Sequence, residues 1–144
     1  MSEQNKALVR RIIEEVVNQG NFDLVNQLVS LEYAYFEPTV GPVRGREGYI
    51  GILTAYRTAF PDMKLTIEQQ VAEGDTVVTL WRAEGTHRGE LMGIAPTGKR
   101  VSVQGVVISR IKNGQLADDL ESYDVHGMLR QLGVAPPLAK AAAA

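Results

Sequence analysis

The apolar residues of this chain change period at one place, and that change constrains the fold most. Up to Phe60 they recur every three or four positions: Val9, Ile12, Ile13, Val16 and Val17, then Tyr49, Leu53, Tyr56 and Phe60. That spacing lines one face of a helix. After Pro61-Asp62 they alternate: Met63, Leu65 and Ile67 are separated by Lys64, Thr66 and Glu68, the period of a half-buried strand. Helices first and a meander of long strands after implies an α+β domain with helices gathered on one face of a curved antiparallel sheet.

The spacing predicts a helix over 3–19, a short helix over 22–29 and a third over 46–60. An aromatic-rich strand is expected over 31–38, stopped by Pro38, and TVGPVRG reads as a loop. Long strands are expected at 76–87, 100–111 and 115–124, the last two joined by a hairpin at Lys112-Asn113-Gly114. Asn-Gly suits the positive φ angles of a type I′ turn. A final helix covers 125–132, and 135–144 reads as a flexible tail beyond a single domain of 1–134. A chain of 144 residues suits one domain with room for a core and an internal pocket.

Composition removes several functions. There is no cysteine and there are two histidines, His87 and His126, so thiolate chemistry, disulfides and a three-histidine zinc site are excluded. A net charge of −2 without a basic stripe argues against a nucleic-acid partner. No apolar run reaches the length of a membrane span. With no signal-like N-terminus, a cytoplasmic protein without metal or cofactor is expected.

Strand parity sorts side chains into two faces. On 76–87, Val77, Thr79, Trp81, Ala83 and His87 are assigned to the helix-covered face, and Arg82 and Glu84 to the other. Val101, Val103, Gly105, Val107 and Ser109 share a parity, as do Asp119, Glu121 and Tyr123; parity alone leaves open which set of each strand looks inward. Val78, Leu80, Val106 and Ile108 would be exposed on a monomer, an apolar patch that a homodimer formed sheet to sheet would cover.

Three segments, NKALVRRIIEEVVNQGNFD, GTHRGELMGIAPTGKRV and NGQLADDLESYDVHGMLRQLG, resemble the SnoaL-like polyketide cyclases of the nuclear transport factor 2-like superfamily. The likeness spans about residues 5–134. It implies a cone-shaped fold, usually dimeric, with a pocket inside the cone. It also implies intramolecular aldol cyclisation without metal or cofactor, with an acidic side chain on the last strand as general acid and base. That position falls on Glu121, where the family's prototype has aspartate. The chain departs from the pattern at Gly105 and Val107, where such cyclases carry glutamine and histidine, and at Tyr35, Phe36, Glu37 and Pro38 on the first strand.

Aldol chemistry needs a base for a proton α to a carbonyl, and a carboxylate in an apolar pocket can supply it. Glu121 is the candidate base. The alternative is a solvated carboxylate paired with Arg82 or Arg100. Asp119, of the same parity, and His87 are candidate assistants. The ordinary role for His87 is fixing the following loop through its backbone. Trp81, Tyr35, Tyr123, Val107 and Glu37 are candidate substrate contacts, and Met92 in the 89–98 loop is a candidate cap on the pocket mouth. The expected ligand is a small apolar carbonyl compound. A non-catalytic binding dimer and a limonene-type epoxide hydrolase are the other readings. The hydrolase needs an Asp–Arg–Asp set that the outward parity of Arg82 opposes.

Overall fold

A computed structural model describes residues 2–136. Its elements are α1 (Ser2–Arg11), continued by a π-helical stretch at Ile12–Asn18, a 3-10 turn at Phe22–Leu24 and α2 (Val25–Leu28). Next come β1 (Val29–Glu37), β2 (Gly41–Arg44) and α3 (Gly45–Ala59). The rest is β3 (Lys64–Glu73), β4 (Thr76–Thr86), β5 (Arg100–Lys112), β6 (Gln115–Tyr123) and α4 (Val125–Gln131). Most of the residues of the 135–144 tail reading lie outside those described.

The first helix changes from α to π geometry at Ile12. Ile12, Ile13, Val16 and Val17 are all buried, and the wider π turns bring both pairs onto the sheet-facing side. Its end is tied down twice. Asn18 both donates to the Leu65 carbonyl (2.9 Å) and accepts from the Leu65 amide (2.8 Å). Arg57 of α3 donates to the carbonyls of Val17 and Asn18, two of the acceptors a helix end leaves open.

All six strands form one sheet in the order β2-β1-β6-β5-β4-β3. Two features correct the sequence reading. Residues 41–44, expected as loop, form the edge strand β2, paired antiparallel to β1. The sheet is not wholly antiparallel, because β1 runs parallel to β6 with Tyr35 opposite Asp119. The Asn113-Gly114 turn has φ of 54° and 75° at its two residues, as a type I′ hairpin requires.

Helices α1 and α3 cover one face of the sheet, and the core lies between. Val77, Thr79 and Trp81 are buried on β4, and Val101, Val103, Gly105, Val107 and Ser109 on β5. The inward face of β4 is therefore the one parity assigned. On the opposite face Phe36, Leu120, Ile108, Val78 and Val71 stand in register across five strands. Four of them are exposed, and Val78 is half-buried. Among the described residues no helix is long and apolar enough to cross a membrane.

Candidate active site

A cavity of about 150 Å³ opens between the helices and the inner sheet face. Its wall is almost wholly apolar. Val9, Ile13 and Val17 close it from the first helix, Leu53 from α3, and Val103 and Val107 from β5. Among the described residues no lysine, arginine or histidine lines it. The polar exceptions are Asp119, Glu121, Ser109 and the tyrosine hydroxyls, gathered around β6, and Glu84 of β4, whose carboxylate pairs with Arg100 at 3.5 Å.

Asp119 and Glu121 are two residues apart on β6, so alternation turns both to the same side, and both line the cavity. Their hydrogen bonding differs. Asp119 is held at both oxygens: Tyr33 donates to Oδ2 at 2.7 Å and Ser109 to Oδ1 at 2.6 Å. Glu121 accepts from Tyr35 at Oε1, at 2.8 Å, and among the described residues no donor reaches Oε2. The buried Trp81 Nε1–H approaches the Glu121 carboxyl and favours its ionised form without reaching hydrogen-bond geometry.

Removal from bulk water penalises the charged form of each acid. Burial raises Asp119 to about 6 against the pull of its Ser109 and Tyr33 donors. It raises Glu121 to about 7, helped by the negative charge of Asp119 and Glu37 and opposed by Tyr35 and Trp81. A carboxyl that titrates near neutrality, with one oxygen open to an apolar cavity, is a competent proton acceptor and donor. Asp119, with its oxygens already engaged, acts as a charge beside it.

Tyrosines form the rest of the wall. Tyr35, Tyr49, Tyr56 and Tyr123 all line the cavity, and burial raises the pKa of each. They are therefore neutral hydrogen-bond donors at any working pH. Tyr56 and Tyr123 share one hydrogen bond of 2.7 Å between their hydroxyls. Tyr49 packs edge-on against Tyr33, with ring centroids 4.9 Å apart. Trp81 lies flat over β5 because its cross-strand partner is Gly105; a Cβ there would stand 2.3 Å from the indole.

Of the residues singled out in the sequence, Glu121, Asp119, Trp81, Tyr35, Tyr123 and Val107 meet at this cavity. Three others do not line it. His87 is buried at the end of β4 against Phe60. Its Nδ1 accepts from the Thr97 amide at 3.1 Å, so it fixes the 87–99 loop. Glu37 is buried, but its Oε2 accepts from the amides of Thr39 and Val40, bracing the turn after Pro38. Met92 is exposed in the loop, with φ of 50°. Arg82 faces outward and pairs with Glu68 at 3.2 Å, so the cavity offers no Asp–Arg–Asp set. Sequence reasoning did not single out Tyr33 and Ser109 as partners of Asp119. Ser109 was legible in principle, since it shares the parity of Val107 and sits across from Asp119.

The profile of the SnoaL-like polyketide cyclases matches residues 7–132. Aklanonic acid methyl ester cyclase DnrD of Streptomyces peucetius is 32% identical over 131 residues, 88% of each chain. Nogalonic acid methyl ester cyclase of Streptomyces nogalater is 29% identical over 120 residues, 81% of this chain and 88% of that one. The structure of IdmH from Streptomyces antibioticus superimposes with a TM-score of 0.80 at 30% identity, covering 91% of this chain and 99% of that one. With its cone of helices on a curved sheet and its acidic pocket on β6, the chain belongs to the SnoaL-like polyketide cyclase family.

Proposed function

We propose that the protein catalyses an intramolecular aldol cyclisation of a small, uncharged, largely apolar carbonyl compound, with Glu121 as general base and then general acid. The observation that carries this is the open Oε2 of Glu121 at the wall of an apolar cavity, on a carboxyl raised to about 7. Ionised Glu121 takes a proton α to one carbonyl. The resulting carbanion attacks a second carbonyl carbon, forming the ring bond and an alkoxide. The proton on Glu121 returns to that alkoxide, so the product is an isomer of the substrate and no co-reactant is consumed. Acids line the wall and, among the described residues, no cation does, which favours an ester or ketone over a free carboxylate. The methyl ester cyclase names of the relatives point the same way.

The test is conversion of aklanonic acid methyl ester, and of smaller β-dicarbonyl esters, to products of unchanged mass and altered chromatographic retention. Glu121→Gln should lower the rate by about 10²- to 10⁴-fold with the fold intact. A loss below threefold would remove Glu121 from the mechanism. Retention of a co-purified ligand by wild type and Glu121→Gln alike, with no turnover in either, would make the protein a binder instead.

The same proposal includes a homodimer through the outer sheet face, since the row from Phe36 to Val71 is apolar in register across five strands. A second copy presents the same row, and an isologous contact covers both.

A further inference from the structure

An inventory of protons on the cavity hydroxyls locates a donor that the carboxylates do not supply. Tyr33 spends its proton on Asp119, and Tyr35 spends its proton on Glu121. The Tyr56 and Tyr123 hydroxyls carry two protons and share one hydrogen bond. Whichever of them donates, the acceptor keeps a proton, and no other acceptor reaches either hydroxyl among the described residues. We infer that this unspent phenolic proton is the oxyanion donor of the site, holding the substrate carbonyl oxygen as negative charge develops on it.

Placement supports this. Tyr123 follows Glu121 by two residues on the same face of β6, about 7 Å along the strand, and both line the cavity. The oxygen that gains charge is two bonds from the carbon that loses its proton, so base and donor must face one space a short distance apart. On β5 the facing positions, Gly105 and Val107, carry no polar group. Trp81 Nε1 has no surface open to the cavity and lies against the Glu121 carboxyl, whose pKa it lowers, which leaves the phenols to do this.

Tyr49 has the other unspent hydroxyl of the cavity. Its first electrostatic neighbour after burial is Asp119, whose charge would oppose an enolate. The Tyr56–Tyr123 pair stands on the far side of Glu121 from Asp119 in strand order. A phenol that accepts one hydrogen bond is also polarised to donate a stronger one.

This inference rests on the reading of Glu121 as base, but its test does not need turnover. The ligand is 4-nitrophenol, a single ring that suits a cavity near the size that holds benzene. Its ionised oxygen carries the charge of an enolate, and its colour reports ionisation. Glu121→Gln leaves the base position uncharged, as it is after proton removal. That variant should bind the 4-nitrophenolate anion in preference to the neutral phenol.

In the Glu121→Gln background, Tyr56→Phe or Tyr123→Phe alone should weaken anion binding less than about tenfold, because the surviving hydroxyl is released from its partner. The two together should weaken it by about 10²- to 10³-fold, the usual loss for an oxyanion donor. Binding unchanged in the double variant, no anion binding by Glu121→Gln, or the whole loss following Tyr49→Phe would each overturn the inference. Should the double variant fail to fold, a series of substituted phenols on Glu121→Gln decides. Anion affinity rising with the basicity of the oxygen supports the donor, and a flat series refutes it. Turnover lost in Glu121→Gln with tyrosine-independent anion binding would leave the base standing and remove the donor. Turnover retained, with tyrosine-dependent binding, would do the reverse.

Discussion

Gly105 faces Trp81 across the β4–β5 ladder, and the space its side chain leaves is filled by the indole. The two residues work as one shape, because the aromatic wall of the cavity exists only while the opposite position stays empty. Gly105→Ala forces the indole off its place. It should destabilise the protein by about 1–3 kcal/mol, as overpacking does, and shift the emission of this single tryptophan. Urea denaturation followed by fluorescence measures both, and an unchanged midpoint and spectrum would contradict the packing described.

The rate should rise with pH through about 7, where Glu121 ionises, and level off above it. A pH–rate profile of the cyclisation checks this. A limb centred near the ordinary glutamate value of 4.5 would mean that the reacting group is not a buried acid.

Stability should run the other way. Asp119 and Glu121 hold their protons to higher pH in the folded chain than in the unfolded one. Their favourable contribution is therefore full below about pH 4 and is lost as pH rises through about 6 and 7. Melting temperatures from pH 5 to 8 should fall on this account, and the fall should be smaller in Glu121→Gln, which has no charge to bury. Equal slopes in the two proteins would contradict it.

Tyr35→Phe removes the hydrogen bond that Glu121 accepts at Oε1. The ionised form then loses support, and the limb of the pH–rate profile should move upward by about one unit, the scale of a hydrogen bond to a charged group. The plateau rate should change much less than in Glu121→Gln. Fitting both parameters separates a residue that tunes the base from one that binds substrate.

Ile108→Glu and Leu120→Glu each place a charge in the middle of the outer apolar row. Either should convert a dimer to monomer at micromolar concentration, measured by light scattering after size exclusion. A wild-type protein that is monomeric at the same concentration would refute the sheet-to-sheet interface.

Much of this site was legible because β4 and β5 alternate regularly along the stretch that lines the cavity. Trp81 in and Arg82 out follow from counting by twos on β4, and the pair Asp119 and Glu121 follows from the same count on β6. The readings that failed depend on partners a local pattern does not contain. Residues 41–44 hold a glycine and a proline and look like loop until β1 pairs with them. Glu37 has the right parity for the pocket, but the turn beyond Pro38 offers two free amides closer at hand. Tyr49 and Tyr56 were visibly on one helix face. Their chemical interest comes from Glu121 and Tyr123, which approach them from the other end of the chain.

The parallel pairing of β1 with β6 has a consequence for how the protein is made. Tyr33 and Tyr35 reach Asp119 and Glu121 across 86 positions of sequence, so the acid pair, itself on the last strand, stays in solvent until that strand docks beside the first. Closing that distance, by docking β6 beside β1, is slow relative to hairpin formation. The hairpins β3–β4 and β4–β5 can form while the chain is still growing. The pocket closes only as a late event, and a chain that stops before residue 115 carries most of the sheet and neither Asp119 nor Glu121.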